Sequence, residues 1–407
     1  MAPKHILRTA ALLAVLLTAA SCIYPFHPDV VSSDRRLVIE GDIHLGSTST
    51  FLFSRVYPIG VSESIKMPEF TGYIEAENGS KLLPLDEADL SGVDQQFRSS
   101  LSALTFDTRN LDEQTRYRVH FESPSTGEIF ETEWIEPCSA PFIDDLTYIL
   151  DKDRQELNVA LSMHCHGHHY FRWTYDETWE YTALLYATHY WDPERARATR
   201  QPREGLVQFP NNENTYYCWK EYYSPEIRIF STVEQTEDRF VDLEFHRVPA
   251  RDQRLSVLYR LDVRLEAMTE EAYLYWKNIE DNSQNQGTIF SPTPSQMAGN
   301  IRCLSDPDLP VLGYIGAARQ ASARMYYDNS LEHFCTLRQL VREDDVEEIT
   351  PGQFQEYYEK NAFLPQTINV EPMTGDEVYV WASRTCVDCR FAGGTKNKPA
   401  DWPNNHK

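Results

Sequence analysis

The clearest pattern along the chain is an alternation of apolar and polar positions between residues 255 and 265. Apolar residues fill every second position of this segment: Leu255, Val257, Tyr259, Leu261, Val263 and Leu265. Because successive side chains of a strand point to opposite faces, the alternation predicts a β-strand with one buried face. Shorter runs of β-forming residues recur along the chain, so the sequence predicts an all-β fold.

Residues 36–137 are predicted to form short strands joined by turns. A strand at 73–77 runs into Asn78-Gly79, a dipeptide favoured in hairpin turns, and the chain resumes as a strand at Leu82. Tyr117 and the apolar positions that follow it resemble the tyrosine-corner end of an immunoglobulin-like sandwich. We therefore expect an N-terminal immunoglobulin-like β-sandwich over 36–137.

The Pro-rich segment 137–141 marks the predicted start of a larger β-rich domain, residues 138–407, with a few inserted helices. Strands are expected at 145–150, 156–163, 170–181, 311–315, 322–327 and 378–382. Thr269 is placed to cap a helix that runs to about Asn282, and Pro351 suits the first turn of a short helix that ends near Tyr358.

The first 21 residues form a predicted secretory signal peptide. Lys4 and Arg8 precede an apolar run from Ala10 to Leu17, and small residues lead from there to Cys22. This order ends in a lipobox-like site, which predicts a mature chain that begins at a lipidated Cys22. Ordinary secretion, with Cys22 unmodified, is the alternative. The apolar run is shorter than the about 20 residues that a membrane-spanning helix needs.

The net charge of the chain limits the classes of partner that it is expected to bind. There are 62 acidic and 38 basic residues, which give a net charge of −24. An acidic surface argues against nucleic acid and against electrostatic docking on anionic lipid. Contact with a membrane is therefore expected through the lipid anchor, with residues 22–35 as a flexible tether.

Seven cysteines follow Cys22. In an oxidising envelope most of them are expected in disulfides, although an odd number leaves at least one unpaired. Cys386 and Cys389 are the structural disulfide candidates, as a staple of the C-terminal loop. They could pair with each other or with Cys218, Cys303 or Cys335. A thioredoxin-like role is disfavoured because a Gly-Gly loop, not a helix, follows the motif.

Several blocks together resemble a known family. They are Leu37-Val38-Ile39-Glu40-Gly41, the aromatic segment 170–181, the segments 287–301 and 311–315, and Cys386-Val387-Asp388-Cys389-Arg390 with Trp402. These blocks resemble the uncharacterised envelope lipoprotein family called domain of unknown function 4249. The resemblance implies an outer-membrane lipoprotein of a Gram-negative bacterium, often encoded beside TonB-dependent receptors. It implies no cofactor and no active-site residues.

A histidine cluster, His164-Cys165-His166-Gly167-His168-His169, is the strongest chemical signal. In an extended conformation His164, His166 and His168 share one face, where three imidazoles could bind Zn or Cu. A turn at Gly167 would bring a different subset together. A His-rich polar loop without a metal is the alternative.

Aromatic residues crowd two further segments, 170–181 and 216–223. Trp173, Trp179 and Trp219 are candidates for contact with a ligand or partner if their rings are exposed, and core residues if they are buried. No Gly-x-Ser-x-Gly, P-loop or dinucleotide motif occurs.

The expected function is therefore a non-catalytic accessory of a TonB-dependent transporter, in ligand capture or complex assembly. The alternatives are an envelope hydrolase of glycans or peptides and a metal-capture protein based on His164–His169. The sequence leaves open whether the chain faces the periplasm or the cell surface.

Overall fold

A computed structural model of the protein describes residues 36–56, 67–90, 93, 97–210, 215–224, 228–235, 237–284, 299–335 and 341–403. The predicted signal peptide, Cys22 and the tether lie outside the described residues. Within these ranges the chain is mostly β-strand, as predicted, with short helices. None of the described helices has the length and apolar content to cross a bilayer.

The strands are numbered in chain order. They are β1 Leu37–Glu40, β2 Ile43–Leu45, β3 Thr48–Arg55, β4 Thr71–Ala76, β5 Lys81–Leu82, β6 Ser102–Asp107, β7 Tyr117–Ser123, β8 Glu128–Thr132, β9 Phe142–Asp151, β10 Glu156–His164, β11 Tyr170–Thr182, β12 His189–Trp191, β13 Leu206–Gln208, β14 Tyr217–Tyr223, β15 Arg228–Ser231, β16 Arg239–Pro249, β17 Leu258–Met268, β18 Ile301–Cys303, β19 Val311–Leu312, β20 Ala317–Arg319, β21 Ala321–Asp328, β22 Val346–Ile349, β23 Phe363–Val370 and β24 Glu377–Ser383.

The helices are short apart from one. The α-helices are α1 Pro193–Thr199, α2 Glu270–Gln284, α3 Asn329–Glu332, α4 Phe354–Glu359 and α5 Arg384–Val387. The 3-10 helices are Arg98–Ser100, Pro202–Gly205, Gln253–Leu255, Glu343–Asp345, Pro351–Gln353 and Cys389–Ala392.

The N-terminal module is a sandwich of two sheets, ordered β19–β1–β3–β6 and β18–β8–β7–β4–β5. Strict alternation buries every second residue of β7 against the other sheet. Phe51 and Phe53 from one sheet pack their rings on Phe121 from the other, at centroid distances of 5.2 and 4.9 Å. The Tyr117 hydroxyl donates to the Asp112 carbonyl at 2.9 Å and accepts from the Asp112 N–H at 2.7 Å, which is the predicted tyrosine corner.

Strands from much later in the chain complete this sandwich. β19 pairs in parallel with β1, β18 pairs with β8, and β20 pairs in parallel with β2. Gly313, which follows β19, lies so close to β1 that a Cβ there would be 2.1 Å from the Ile39 carbonyl oxygen. The N-terminal core therefore includes residues 301–317, which the predicted division at 137/138 assigned to the second domain.

The central module has two sheets that share one hydrophobic core. One sheet is ordered β14–β11–β17–β21, with β15 also on β11, and the other β16–β10–β9. β17 contains most of the predicted alternating segment but begins at Leu258, because residues 253–255 form a 3-10 turn. Its polar face is not open to solvent as predicted, since Arg260 and Glu266 on that face are also buried.

A smaller C-terminal module has a core of its own within 138–407. Its sheet is ordered β22–β24–β23, and the two-stranded ribbon β12–β13 packs beside β23 with helices α1 and α4. Trp191, Phe354 and Trp381 fill this core, with the Phe354 and Trp381 rings stacked at 5.1 Å. The large predicted second domain therefore contains at least two hydrophobic cores.

A buried ionic network joins the N-terminal sandwich to the central sheet. Arg172 Nε on β11 donates to Glu266 Oε1 on β17 at 2.6 Å, and its Nη2 donates to both Glu266 and Asp42. Asp42, between β1 and β2, also accepts from the Gly316 N–H at 2.6 Å. The adjoining cavity measures about 30 Å³, which is room for about one water. The network therefore serves to connect the modules.

His44 completes this network on the sandwich side. Its Nδ1 lies 3.5 Å from Glu266 Oε2, an ion-pair distance. Burial by itself lowers the pKa of His44, but Glu266 and Asp42 outweigh that effect and raise it. Burial likewise opposes the charge of Glu266, yet Arg172 and His44 hold its pKa well below the usual range. Arg172, Glu266 and His44 are therefore each stabilised in their charged forms.

Candidate functional site

A groove of about 370 Å³ lies between the C-terminal module and the disulfide-linked end of the chain. Aromatic and basic side chains form part of its lining: Tyr190, Trp191, Phe209, Tyr358, Arg390 and Phe391. They come from the ribbon β12–β13 and its following loop, from α4, and from the 3-10 helix Cys389–Ala392. The groove is the best candidate for a binding site because it combines concavity, rings and charge.

A disulfide fixes one wall of the groove. Cys218 on β14 bonds to Cys389, the first residue of the last 3-10 helix. The Tyr181 hydroxyl donates to the Cys389 carbonyl at 2.6 Å, and the Cys389 N–H donates to the Thr215 carbonyl at 3.0 Å. A Cβ at Gly394 would lie 2.2 Å from the Tyr181 hydroxyl, so only glycine fits behind this wall.

Asp388 and Arg390 form an ion pair at the groove. The Asp388 side chain is only 2% exposed, and it accepts from Arg390 Nη2 at 2.7 Å and from the Arg390 N–H at 3.0 Å. Arg390, in contrast, keeps 56% of its side chain exposed. The carboxylate thus positions the guanidinium from behind while the guanidinium faces the solvent.

A second cation lies against two of the rings. The Arg384 guanidinium is 5.3 Å from the centre of the Tyr358 ring and 5.6 Å from that of Phe391. Its Nη2 donates to the Tyr358 carbonyl, and its Nε is buried without a hydrogen-bond partner in the described chain. No carboxylate of the described residues lies within ion-pair distance of Arg384, so its charge adds to that of Arg390.

His189 contributes a neutral polar group to the same groove. Its Nδ1 lies 2.8 Å from the Thr188 hydroxyl. Burial lowers the pKa of His189, so the ring is uncharged at neutral pH and can exchange hydrogen bonds with a hydroxyl group.

The three histidines predicted to bind metal do not converge. His164 ends β10 and its Nδ1 contacts Asp144 at 2.8 Å, whereas His168 Nε2 accepts from the Ser139 N–H at 3.3 Å. Gly167 takes a φ of 80° and turns the chain between them, so the extended conformation required for a shared face is absent. Across the described residues, no three His, Cys, Asp or Glu side chains are grouped to hold a metal.

The three tryptophans predicted to contact a ligand are core residues instead. Trp173, Trp179 and Trp219 are 6%, 6% and 5% exposed. Trp173 packs on Phe230 at 4.5 Å, and Trp219 packs in a cluster with Trp402. All three side chains are almost wholly buried, which indicates packing as their main role, although Trp173 also lines an open groove of about 680 Å³.

The cysteine predictions need two corrections. Cys389 pairs with Cys218, one of the partners left open, while Cys386 is a buried free thiol on α5. Most of the cysteines were expected in disulfides, yet five are free and buried: Cys138, Cys165, Cys303, Cys335 and Cys386. Burial raises the pKa of the Cys386 thiol, which makes it a poor nucleophile.

A buried carboxylate in the central module bears on the hydrolase alternative. Glu177 is 2% exposed, and its Oε1 accepts from Tyr259 at 2.7 Å, Arg254 at 2.8 Å and His246 at 3.0 Å. Burial opposes the charge of Glu177, but these donors outweigh it and lower its pKa. A carboxylate that is saturated with donors in this way holds the core together and is a weak base.

Sequence reasoning missed most of the groove. Tyr190, Phe209 and Phe391 carry no motif, and the helix α1 beside them was not predicted. One signal was present, however, because Asp388 and Arg390 belong to the C-terminal block Cys386–Arg390. That block was interpreted as a disulfide staple, and the structure shows that the staple also positions the ion pair of the groove.

Comparison with known proteins shows a match to one family. The model of the family described as "Domain of unknown function (DUF4249)" matches residues 23–324. The C-terminal block lies beyond the matched residues. No curated protein matches the chain. A crystal structure of a Salmonella alpha-2-macroglobulin mutant aligns with 86% of this chain and 18% of its own, at 8% identity and a TM-score of 0.17. This similarity is too weak to carry a structural argument.

Proposed function

Because the chain belongs to the DUF4249 family, we propose that it is a lipoprotein accessory of a TonB-dependent outer-membrane transporter. In this proposal the protein captures a ligand, or braces the complex, and catalyses no reaction. It is held at the outer membrane through Cys22, on either the periplasmic or the surface face.

The observation that carries the proposal is the groove of the C-terminal module. Its rings and its guanidinium are held by a disulfide and by buried partners, so they would lose little conformational entropy when a ligand binds. A preformed groove with rigid walls suits reversible capture.

The predicted lipid anchor would keep this groove close to the membrane. A tether of 14 residues, 22–35, would reach at most about 50 Å at roughly 3.5 Å per residue. A ligand captured in the groove would therefore stay within a short distance of the membrane that holds the transporter, and the local concentration near the transporter would rise.

Purification of the full chain from membranes tests the proposal. A C-terminally tagged chain is extracted in mild detergent, and the proteins that co-purify are identified and quantified by mass spectrometry. We expect a TonB-dependent receptor in near-equal amount. The matched control is Cys22→Ser, which removes the anchor and should lower the recovery of the receptor. If the wild-type chain is recovered only as a free monomer, the accessory role is wrong.

A further inference from the structure

We propose that the ligand of the groove is an acidic oligosaccharide, which stacks a sugar face on the exposed rings and places its anionic group on Arg390. This inference rests on the proposed binding function and names the chemical class of its ligand.

The rings of the groove are placed for stacking. Tyr190 is 38% exposed and Phe391 is 51% exposed, although both are fixed at their backbones. Tyr190 lies in the middle of β12, opposite Val207 of β13, and its ring contacts Phe209 at a centroid distance of 5.2 Å. Phe391 follows the disulfide by two residues. Rigid, exposed rings offer apolar faces that match the apolar face of a pyranose.

The described lining of the groove is not acidic, unlike the protein as a whole, which has a net charge of −24. Among the described residues of this lining the only carboxylate is that of Asp388, which is buried behind Arg390, and the Arg384 guanidinium lies against the Tyr358 and Phe391 rings. Arg390 uses Nε and Nη2 to hold Asp388, and Arg384 has no carboxylate partner among the described residues. A guanidinium held in place by a buried carboxylate is well suited to bind a carboxylate or sulfate group of a ligand.

The backbone around the groove disfavours a peptide. The N–H of Thr188 donates to the Gln366 carbonyl at 2.8 Å, that of Phe209 to the Thr188 carbonyl at 3.0 Å, and that of Cys389 to the Thr215 carbonyl at 3.0 Å. A peptide that binds as an added strand needs free main-chain groups, which these positions do not offer. Recognition through rings, a neutral imidazole and a guanidinium fits a sugar with hydroxyl and anionic groups instead.

Titration calorimetry of the purified full chain tests this inference with three probes. Trigalacturonate represents the acidic sugar, trigalactoside its neutral counterpart, and hexaglutamate an acidic peptide. We expect trigalacturonate to bind at least about tenfold more tightly than either of the others, because it satisfies both the rings and the cation. Its affinity should fall as salt is added.

Variants assign the binding to the groove. Arg390→Gln should weaken trigalacturonate binding by about tenfold or more, and should make binding of the two sugars similar. Because this change also leaves Asp388 without its partner, Phe391→Ala gives an independent variant, which should weaken both sugars. The control is Phe142→Ala, a ring of 58% exposure on β9 that lies outside the groove. Circular dichroism checks that each variant is folded.

Three outcomes would overturn the inference. They are equal binding of the acidic and neutral sugars, preferential binding of hexaglutamate, and no binding of trigalacturonate below about 1 mM. Each of these leaves the accessory role intact if the receptor still co-purifies. Loss of co-purification, in contrast, contradicts the accessory role whatever the sugar result, so the two failures are distinguishable.

Discussion

Removal of the Arg172 guanidinium should open the junction between the sandwich and the central sheet. Arg172→Met keeps most of the side-chain volume but removes the guanidinium that both Asp42 and Glu266 contact, which leaves His44 as the cation beside Glu266. Their side chains are only 13% and 7% exposed, so water cannot replace the lost partner well. Breaking a buried pair by removal of one member costs about 3–5 kcal/mol. We expect a loss of that size in the stability of the junction.

Hydrogen exchange measures this loss where it occurs. A single free energy of unfolding is not well defined for a chain with several modules, so exchange of peptides that contain β2 and β17 is the appropriate assay. The matched control is Arg302→Met, which breaks an exposed pair with Glu133 whose side chains are 72% and 60% exposed. That change should cost no more than about 1 kcal/mol.

A double variant sharpens the test. Arg172→Met combined with Glu266→Met replaces one charged pair of the network by apolar groups and leaves Asp42 near His44, and replacement of a buried pair by apolar residues is often nearly neutral. The double variant should therefore be more stable than Arg172→Met alone. The reasoning is refuted if Arg172→Met lies within about 0.5 kcal/mol of wild type, or if the two single losses simply add in the double variant.

Four further predictions follow from the same contacts. The first prediction concerns pH. His44 faces Glu266, Asp42 and Arg172, and its pKa is raised in the folded protein. Its stabilising effect is therefore complete below about pH 6.5 and is lost as the pH rises through the pKa that His44 has in the folded protein. The difference between wild type and His44→Gln in the free energy of opening of the β2 and β17 peptides, measured by hydrogen exchange, should therefore shrink with rising pH, and a constant difference would contradict it. Glu266 acts in the opposite direction, since its pKa is lowered. Its stabilising effect is present above about pH 4.3 and declines as pH falls, which the same exchange measurement on Glu266→Gln checks. For the disulfide, which joins residues 171 positions apart, Cys218→Ser should cost about 2–5 kcal/mol, measured by hydrogen exchange of peptides that contain β14 and the last 3-10 helix, with the reduced wild type as control. Finally, Gly394→Ala should cost about 1–3 kcal/mol because its Cβ would overlap the Tyr181 hydroxyl, whereas Gly352→Ala, where nothing lies within 4 Å, should change thermal stability little.

Several strands and helices were predicted correctly from patterns within a short stretch of sequence. The Asn78-Gly79 turn joins β4 to β5, and the alternation around residue 261 lies in β17, as expected. The helix predicted after Thr269 is α2, and the one predicted after Pro351 ends in α4. The hairpin and the two helices have hydrogen-bond partners within a short stretch of sequence, whereas β17 was predicted from its own alternation and pairs with β11 and β21, which are distant in sequence.

The pairing of strands that are distant in sequence could not be predicted from short sequence patterns. Leu37 pairs with Val311 in parallel, and such a register depends on tertiary contacts that no short window contains. The tryptophans were ambiguous for a related reason. β11 is covered on both faces, so alternation along 170–182 could not tell an exposed ring from a core ring.

The candidate site was predictable only in part. The block around Cys389 pointed to a disulfide staple, but its partner and the rings opposite it depend on the folding of three separate segments. The histidine cluster was misleading because one turn, at Gly167, decides whether its side chains share a face. The histidine-rich composition therefore does not by itself define a shared face, and the fold assembles the candidate groove largely from residues without a motif.

Cross-linking in intact cells tests the central claim most directly, because it needs no extraction from the membrane. The full chain is cross-linked at its natural level, purified under denaturing conditions and analysed by mass spectrometry for linked peptides. We expect reproducible links between this chain and a TonB-dependent receptor, and their loss in Cys22→Ser. Links confined to the chain itself, or spread over envelope proteins in proportion to their abundance, would contradict it.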